Sequence, residues 1–138
     1  MKAIADTGFV VALEIETDRN RHRCLSVFHE ADPIYLPQST LNEVCYLLTQ
    51  ARGNRASASF LHRLGDMKYK LIHLEPEDIE RAADLLDQYA DSRVDFVDAT
   101  IAAVAERLNV ETILTLDRRD FGIIRPAHVD FFEILPAS

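Results

Sequence analysis

Four carboxylates stand inside or directly behind apolar runs: Asp6 after KAIA, Glu43 in LNEVCYLL, Asp98 in RVDFVDATIAAVAERL and Asp117 in ILTLDRRDFG. An ionised carboxylate beside a buried segment needs a partner, because unpaired burial costs several kcal/mol or raises the pKa. Each acid also has a purely structural use. Asp6 can cap a helix starting near Gly8, Asp95 and Asp98 suit the start of theirs, and Asp117 can hold the turn in LDRRDF. Thr40-Leu41-Asn42-Glu43 spells a capping box. If all four meet at one edge, however, their mutual repulsion calls for a counter-ion. Mg²⁺ or Mn²⁺ is the natural one, being oxygen-liganded and held by a few carboxylates plus water. Such a centre supports phosphodiester hydrolysis, by activating water, holding a phosphate and stabilising charge on the leaving oxygen.

The elements that would bring the acids together can be read from the alternation of short apolar runs with longer segments of helical period. That alternation predicts an α/β fold with a central, mainly parallel sheet between helices. Strands are expected at 2–6, 33–36, 71–74, 111–115 and 131–134, and helices at 8–15, 20–31, 39–51, 56–67, 77–90 and 96–108. Pro37 closes a strand, Pro76 suits the first turn of a helix, and Gly53 with Asn54 divides two helices. In open parallel sheets, functional groups gather where strands end and helices begin. Asp6 and Asp117 both end strands by this reading, Asp98 lies in the first turn of a helix apolar on most sides, and Glu43 lies on the helix after Pro37.

With 138 residues and 48% hydrophobic content, the chain is expected to form a single domain, 1–138, with its own core. No apolar run approaches the roughly 20 residues of a membrane-spanning helix, and no secretory leader is evident, so a cytoplasmic location is expected. Cys24 and Cys45 form no metal-binding or disulfide pattern and are expected to be buried, reduced thiols. The net charge of −8 argues against a nucleic-acid partner until the acids are paired with metal, after which a substrate phosphate meets cation. Basic groups that could flank the centre are Arg19, Arg21, His22 and Arg23; Arg52 and Arg55; Lys68 and Lys70; and Arg118 and Arg119. His22, His29, His62, His73 and His128 are scattered, which disfavours a Ser-His-Asp or Cys-His hydrolase.

The motifs ADTGFVVAL, LNEV, DFVDATIAAVAERL and ILTLDRRDF followed by RP, in that order and spacing, resemble those of PIN-domain ribonucleases of the VapC toxin type. The resemblance spans nearly the whole chain. It implies a PIN-like three-layer α/β/α fold and an Mg²⁺-dependent endoribonuclease, with Mn²⁺ as substitute, cutting structured RNA such as tRNA or an rRNA loop. It implies an acidic quartet of Asp6, Glu43, Asp98 and Asp117, with Asp6 and Asp98 as direct metal ligands. Asp95 and Asp120 are accessories, and Thr7 and Thr115 supporting hydroxyls. Glu43 could also orient the attacking water, and Arg118 and Arg119 are candidates for phosphate contact. The same resemblance implies a cognate antitoxin partner, no membrane partner, and a homodimer. Leu41, Val44, Tyr46, Leu47 and Leu48 with Phe60, Leu61 and Leu64 exceed what a covering layer needs, which suits an interaction groove. A PIN-fold nuclease outside a toxin–antitoxin pair, or a protein-binding module with a vestigial metal site, remains an alternative. A phosphotransfer receiver needs a late lysine, and the last lysine here is Lys70.

Overall fold

Five parallel strands run through the molecule in the spatial order β3-β2-β1-β4-β5. They are β1 (Ala3–Ala5), β2 (Ile34–Pro37), β3 (Tyr69–Ile72), β4 (Thr112–Leu114) and β5 (Glu133–Leu135). The structure, a computed structural model, describes residues 1–137. Seven helices connect and cover the strands: α1 (Thr7–Glu14), α2 (Arg21–Glu30), α3 (Ser39–Arg52), α4 (Asn54–Arg63), α5 (Pro76–Gln88), α6 (Phe96–Leu108) and α7 (Arg118–Ile123).

Side chains alternate across a strand, so β1 feeds two cores. Ala3 and Ala5 pack with Phe9, Val10, Val44, Leu48 and Phe60, from α1, α3 and α4. Ile4 points the other way, into a core with Leu85, Ile101, Val104, Ile113 and Phe121, from α5, α6, β4 and α7. With helices on both faces, the central strands are short and predominantly apolar, as a doubly covered parallel sheet requires. The three-layer arrangement expected from the sequence is the one observed.

The α6 helix is buried from Asp98 through Ala105. Its alanines leave little side-chain bulk between the backbone and its neighbours. That closeness brings its N-terminus, and Asp98 with it, against the ends of the strands. Ser39 Oγ and Thr100 Oγ1 are 2.9 Å apart and tie the start of α3 to the same helix. Gly53, at φ +82°, makes the bend between α3 and α4 that a residue with a Cβ would resist.

Five local expectations need correction. β3 begins at Tyr69 rather than 71 and ends at Ile72, where the ladder with β2 closes through Gln38 N–H donating to Ile72 O at 2.8 Å. β5 begins at Glu133, because Phe131 faces solvent and it is Phe132 that fills the core. LDRRDF, expected as a turn, forms α7, because Asp117 caps the first turn by accepting from Asp120 N–H. The helix expected at 56–67 is α4 from Asn54 to Arg63, followed by a 3-10 turn, Leu64–Asp66. Both cysteines are free thiols; Cys24 is buried, whereas Cys45 is only half-buried.

Candidate metal centre

The polypeptide leaves β1 at Asp6 and crosses to β2 on one side of the sheet, while β4 lies on the other side of β1. This reversal of strand order opens a crevice beyond the carboxyl ends of β1 and β4, the place where parallel sheets bind ligands. Every acid singled out in the sequence is found around it.

Two threonines organise the crevice. Thr7 donates its backbone N–H to Asp6 Oδ1 and its hydroxyl to Glu43 Oε1, both at 2.8 Å. Thr115 donates its hydroxyl to Asp6 Oδ2 at 2.8 Å and accepts from Asp117 N–H at 2.9 Å. Asp117 in turn accepts from Asp120 N–H at 3.1 Å. A continuous hydrogen-bonded path therefore runs Glu43–Thr7–Asp6–Thr115–Asp117–Asp120 across the edge of the sheet. Asp98 is held separately, in a reciprocal capping box with Asp95: its N–H donates to Asp95 Oδ1 at 3.0 Å, and its Oδ2 accepts from Asp95 N–H at 3.2 Å.

Capping and convergence thus coexist. Asp6, Asp95 and Asp117 each cap a helix, yet each uses one oxygen for the cap. The capping box read at Thr40 and Glu43 does not form. The helix starts at Ser39, two residues before a Thr40 cap would allow, Thr40 donates to Pro37 O at 2.7 Å, and Glu43 is left to face Thr7.

Ligand atoms of Asp98, Asp117 and Asp120 lie within 4.8 Å of one another. Asp6 stands outside this trio but its charge acts on Asp98 and feels Asp117, and Glu43 stands beside Asp6. Burial raises the Asp6 pKa to about 6; hydrogen bonds from Thr115 and Thr7 oppose the rise, and repulsion from Glu43 and Asp117 adds to it. Burial also pushes Asp98 up to about 8, with further repulsion from Asp95 and Asp6. Asp120 is raised as well, by burial first and by its proximity to Asp117 second. The acids are crowded without a basic partner. Among the described residues, ion pairs join Arg63 to Glu14, Arg81 to Glu106 and Arg107 to Asp78, all outside this crevice. A set of hard carboxylate oxygens with no cationic side chain in contact fits a hard divalent cation.

Asp120, expected as an accessory, is buried and is one of three acids whose ligand atoms lie close together. The signal was the spacing in Asp117-Arg118-Arg119-Asp120, which in a helical turn puts both acids on one side.

Several basic groups expected to flank the centre are engaged elsewhere. Lys68 donates to Phe28 O and Ala31 O and sits 4.8 Å over the Phe28 ring. Arg118 donates to Ile134 O and Pro136 O, both at 3.0 Å.

Residues 3–125 match the family model of the PIN domain. The chain belongs to the PIN-domain family. This PIN domain is 32% identical over 106 residues to "Ribonuclease VapC26" of Mycobacterium tuberculosis, a match covering 77% of this chain and 78% of that protein. In fold it resembles the crystal structure of Mycobacterium tuberculosis VapC20, described as a sarcin-ricin loop cleaving toxin, with a TM-score of 0.82, 22% identity and coverage of 93% of this chain and 98% of that one. It also resembles VapBC2 from Rickettsia felis, solved bound to a DNA fragment from its promoter, with a TM-score of 0.70, 18% identity and coverage of 97% and 98%.

Proposed function

We propose that this PIN domain is a Mg²⁺-dependent endoribonuclease, the toxin of a VapC-type toxin–antitoxin pair, that hydrolyses phosphodiester bonds in structured RNA. The observation that carries the reading is the convergence of Asp98, Asp117 and Asp120, with Asp6 and Glu43 beside them, at a crevice where none of them forms an ion pair among the described residues. Similarity to a protein named a ribonuclease supports RNA as the substrate.

A bound divalent ion would supply an activated water and charge neutralisation at the scissile phosphate. Asp98, Asp117 and Asp120 are the residues that would hold it, with Asp6 near enough to act on Asp98. Thr115 and Thr7 fix the Asp6 carboxyl by one hydrogen bond to each oxygen, which leaves each oxygen a lone pair for a further partner. Glu43, half-buried and anchored through one oxygen, has its second oxygen available to orient a water as general base. The buried rim lowers the local dielectric and strengthens each of these interactions.

A fold neighbour from Klebsiella pneumoniae is a toxin–antitoxin complex, which supports a cognate antitoxin as the restraining partner. A surface for such a partner is present on α3 and α4. Of the apolar residues counted there, Val44, Leu48 and Phe60 fill the core, whereas Tyr46 is 61% exposed, and Leu47 and Leu61 are exposed with it. The reading places the toxin in the cytoplasm as a homodimer, each copy one PIN domain; no helix among the described residues is long and apolar enough to cross a membrane.

The test is a panel of Asp6→Asn, Glu43→Gln, Asp98→Asn and Asp117→Asn assayed on synthetic structured RNA. Each is expected to lose roughly 100-fold or more in rate while keeping the wild-type circular dichroism spectrum. Full activity in folded Asp98→Asn would refute the assignment.

A further inference from the structure

Beside the acidic crevice lies a second cleft, of about 260 Å³, lined by Asp91, Ser92, Arg93, Arg119, Asp120 and Ile123. Asp120 belongs to both, so the cleft is contiguous with the candidate metal centre. Its two arginines are unusual in this molecule. Of the twelve arginines in the chain, eight donate to a carboxylate, a hydroxyl, an amide oxygen or a backbone carbonyl. Arg19, Arg55, Arg93 and Arg119 make no such bond among the described residues, and two of these four face one cleft. Both are exposed, and both guanidinium charges are felt at Asp120.

We propose that Arg93 and Arg119 form a phosphate subsite that holds the RNA backbone one or two nucleotides from the bond being cut. The inference rests on the nuclease reading and extends it to residues outside the acidic set. In an acidic protein of net charge −8, arginines without carboxylate partners at the rim of a carboxylate centre leave forked donors free for an anion. The carboxylates of Asp91 and Asp120 in the same cleft would repel an anion; a divalent ion at Asp120 would offset one of them, and Asp91 is exposed to solvent screening. An RNA strand carries a phosphate at every nucleotide, so a strand with one phosphate at the acids must place its neighbours on the adjoining surface. The cleft is such a surface, and its arginines lie on two elements, the segment before α6 and α7 itself, which both lead into the acidic crevice. The inference also separates Arg119 from Arg118, two adjacent residues that the sequence treats alike: Arg118 is committed to the carbonyls of Ile134 and Pro136 and acts in the fold.

The test uses the full chain with Arg93→Gln, Arg119→Gln, the double variant, and Arg19→Ala as control. Arg19 lies beyond the far end of α1, where Arg21 donates to Leu13 O, away from the acidic edge. Two substrates are compared in Mg²⁺: a structured RNA oligonucleotide, and bis(p-nitrophenyl) phosphate, a single phosphodiester with no neighbouring phosphate. RNA binding is measured by anisotropy over a salt series. The expected result is weaker RNA binding and cleavage in both single variants, more so in the double, with the salt-dependence slope shallower by about 0.7 for each arginine removed. Hydrolysis of the small diester should be unchanged, as should everything in Arg19→Ala. RNA cleavage and salt slope at wild-type values in the double variant would overturn the subsite while leaving the nuclease intact. Wild-type protein inert on both substrates would instead bring down the nuclease reading, and the subsite with it. Unchanged RNA binding, together with capture of a deca-glutamate peptide that the double variant loses, would overturn it in favour of an acidic protein segment.

Discussion

A carboxyl whose pKa is raised in the fold holds its proton more tightly there than in the unfolded chain. For Asp6 and Asp98 the folded values are about 6 and about 8, against 3.8 for a free aspartate. Below pH 4 both states are protonated and burial carries no charge penalty. As pH rises from about 4 to 8 the unfolded chain releases protons that the metal-free fold retains, so these groups make the metal-free fold progressively less stable. Asp98→Asn keeps an oxygen to accept from Asp95 N–H but never ionises. Metal-free Asp98→Asn is therefore expected to melt above wild type at pH 8, by at least about 1 kcal/mol or some 3 °C, with the gap closing toward pH 4. Scanning calorimetry in EDTA across that range checks this; a gap that does not change with pH would mean that the Asp98 charge is compensated by something else. At this scale the sequence revealed the four acids because each interrupts an apolar run. The burial of Asp120 was not legible, because it arises only when α7 folds back against the core.

The loops that join strand to helix do the positioning. Thr7 and Thr115 sit at the carboxyl ends of β1 and β4 and between them hold Asp6, Glu43 and Asp117. Thr115→Val keeps the shape but strips one donor from Asp6 and one acceptor from Asp117 N–H. It is expected to cost roughly 1–3 kcal/mol of stability. Metal affinity should fall with it, since Asp6 loses the bond that favours its ionised form. Urea unfolding with isothermal titration of Mn²⁺ reads both; unaltered metal affinity would show that Thr115 serves the fold alone. Strand and helix order was legible from periodicity, and Pro37, Gly53 and Pro76 marked real boundaries. What was not legible was register. The start of β3 at Tyr69 depends on its pairing with Ile34, a contact between residues far apart in sequence. The hydrogen-bond path through the two threonines likewise exists only once β1 and β4 are neighbours.

For the molecule as a whole, a net charge of −8 gathered partly at one edge is a source of self-repulsion that a bound cation relieves. Ligands that bind only the native state raise its stability by mass action, so Mg²⁺ should raise Tm, and more at pH 8 than at pH 5, where protons compete for the same oxygens. Thermal melts with and without Mg²⁺ at the two pH values check this, an equal shift at both being the contrary result. The three-layer fold followed from composition and alternation, because only helices on both faces make strands as apolar as β1 and β4 stable. The same topology places the acids at the reversal of strand order. On the proposed reading this is how an acidic protein could act on an anion: a substrate phosphate would meet a metal ion at that edge. The most direct measurement is cleavage of total RNA by purified protein free of any co-expressed partner, in EDTA and then with Mg²⁺ restored, beside Asp98→Asn. Discrete fragments that appear only with Mg²⁺ and only in wild type are predicted; fragments that persist in EDTA, or that folded Asp98→Asn also produces, would contradict the metal-centred account.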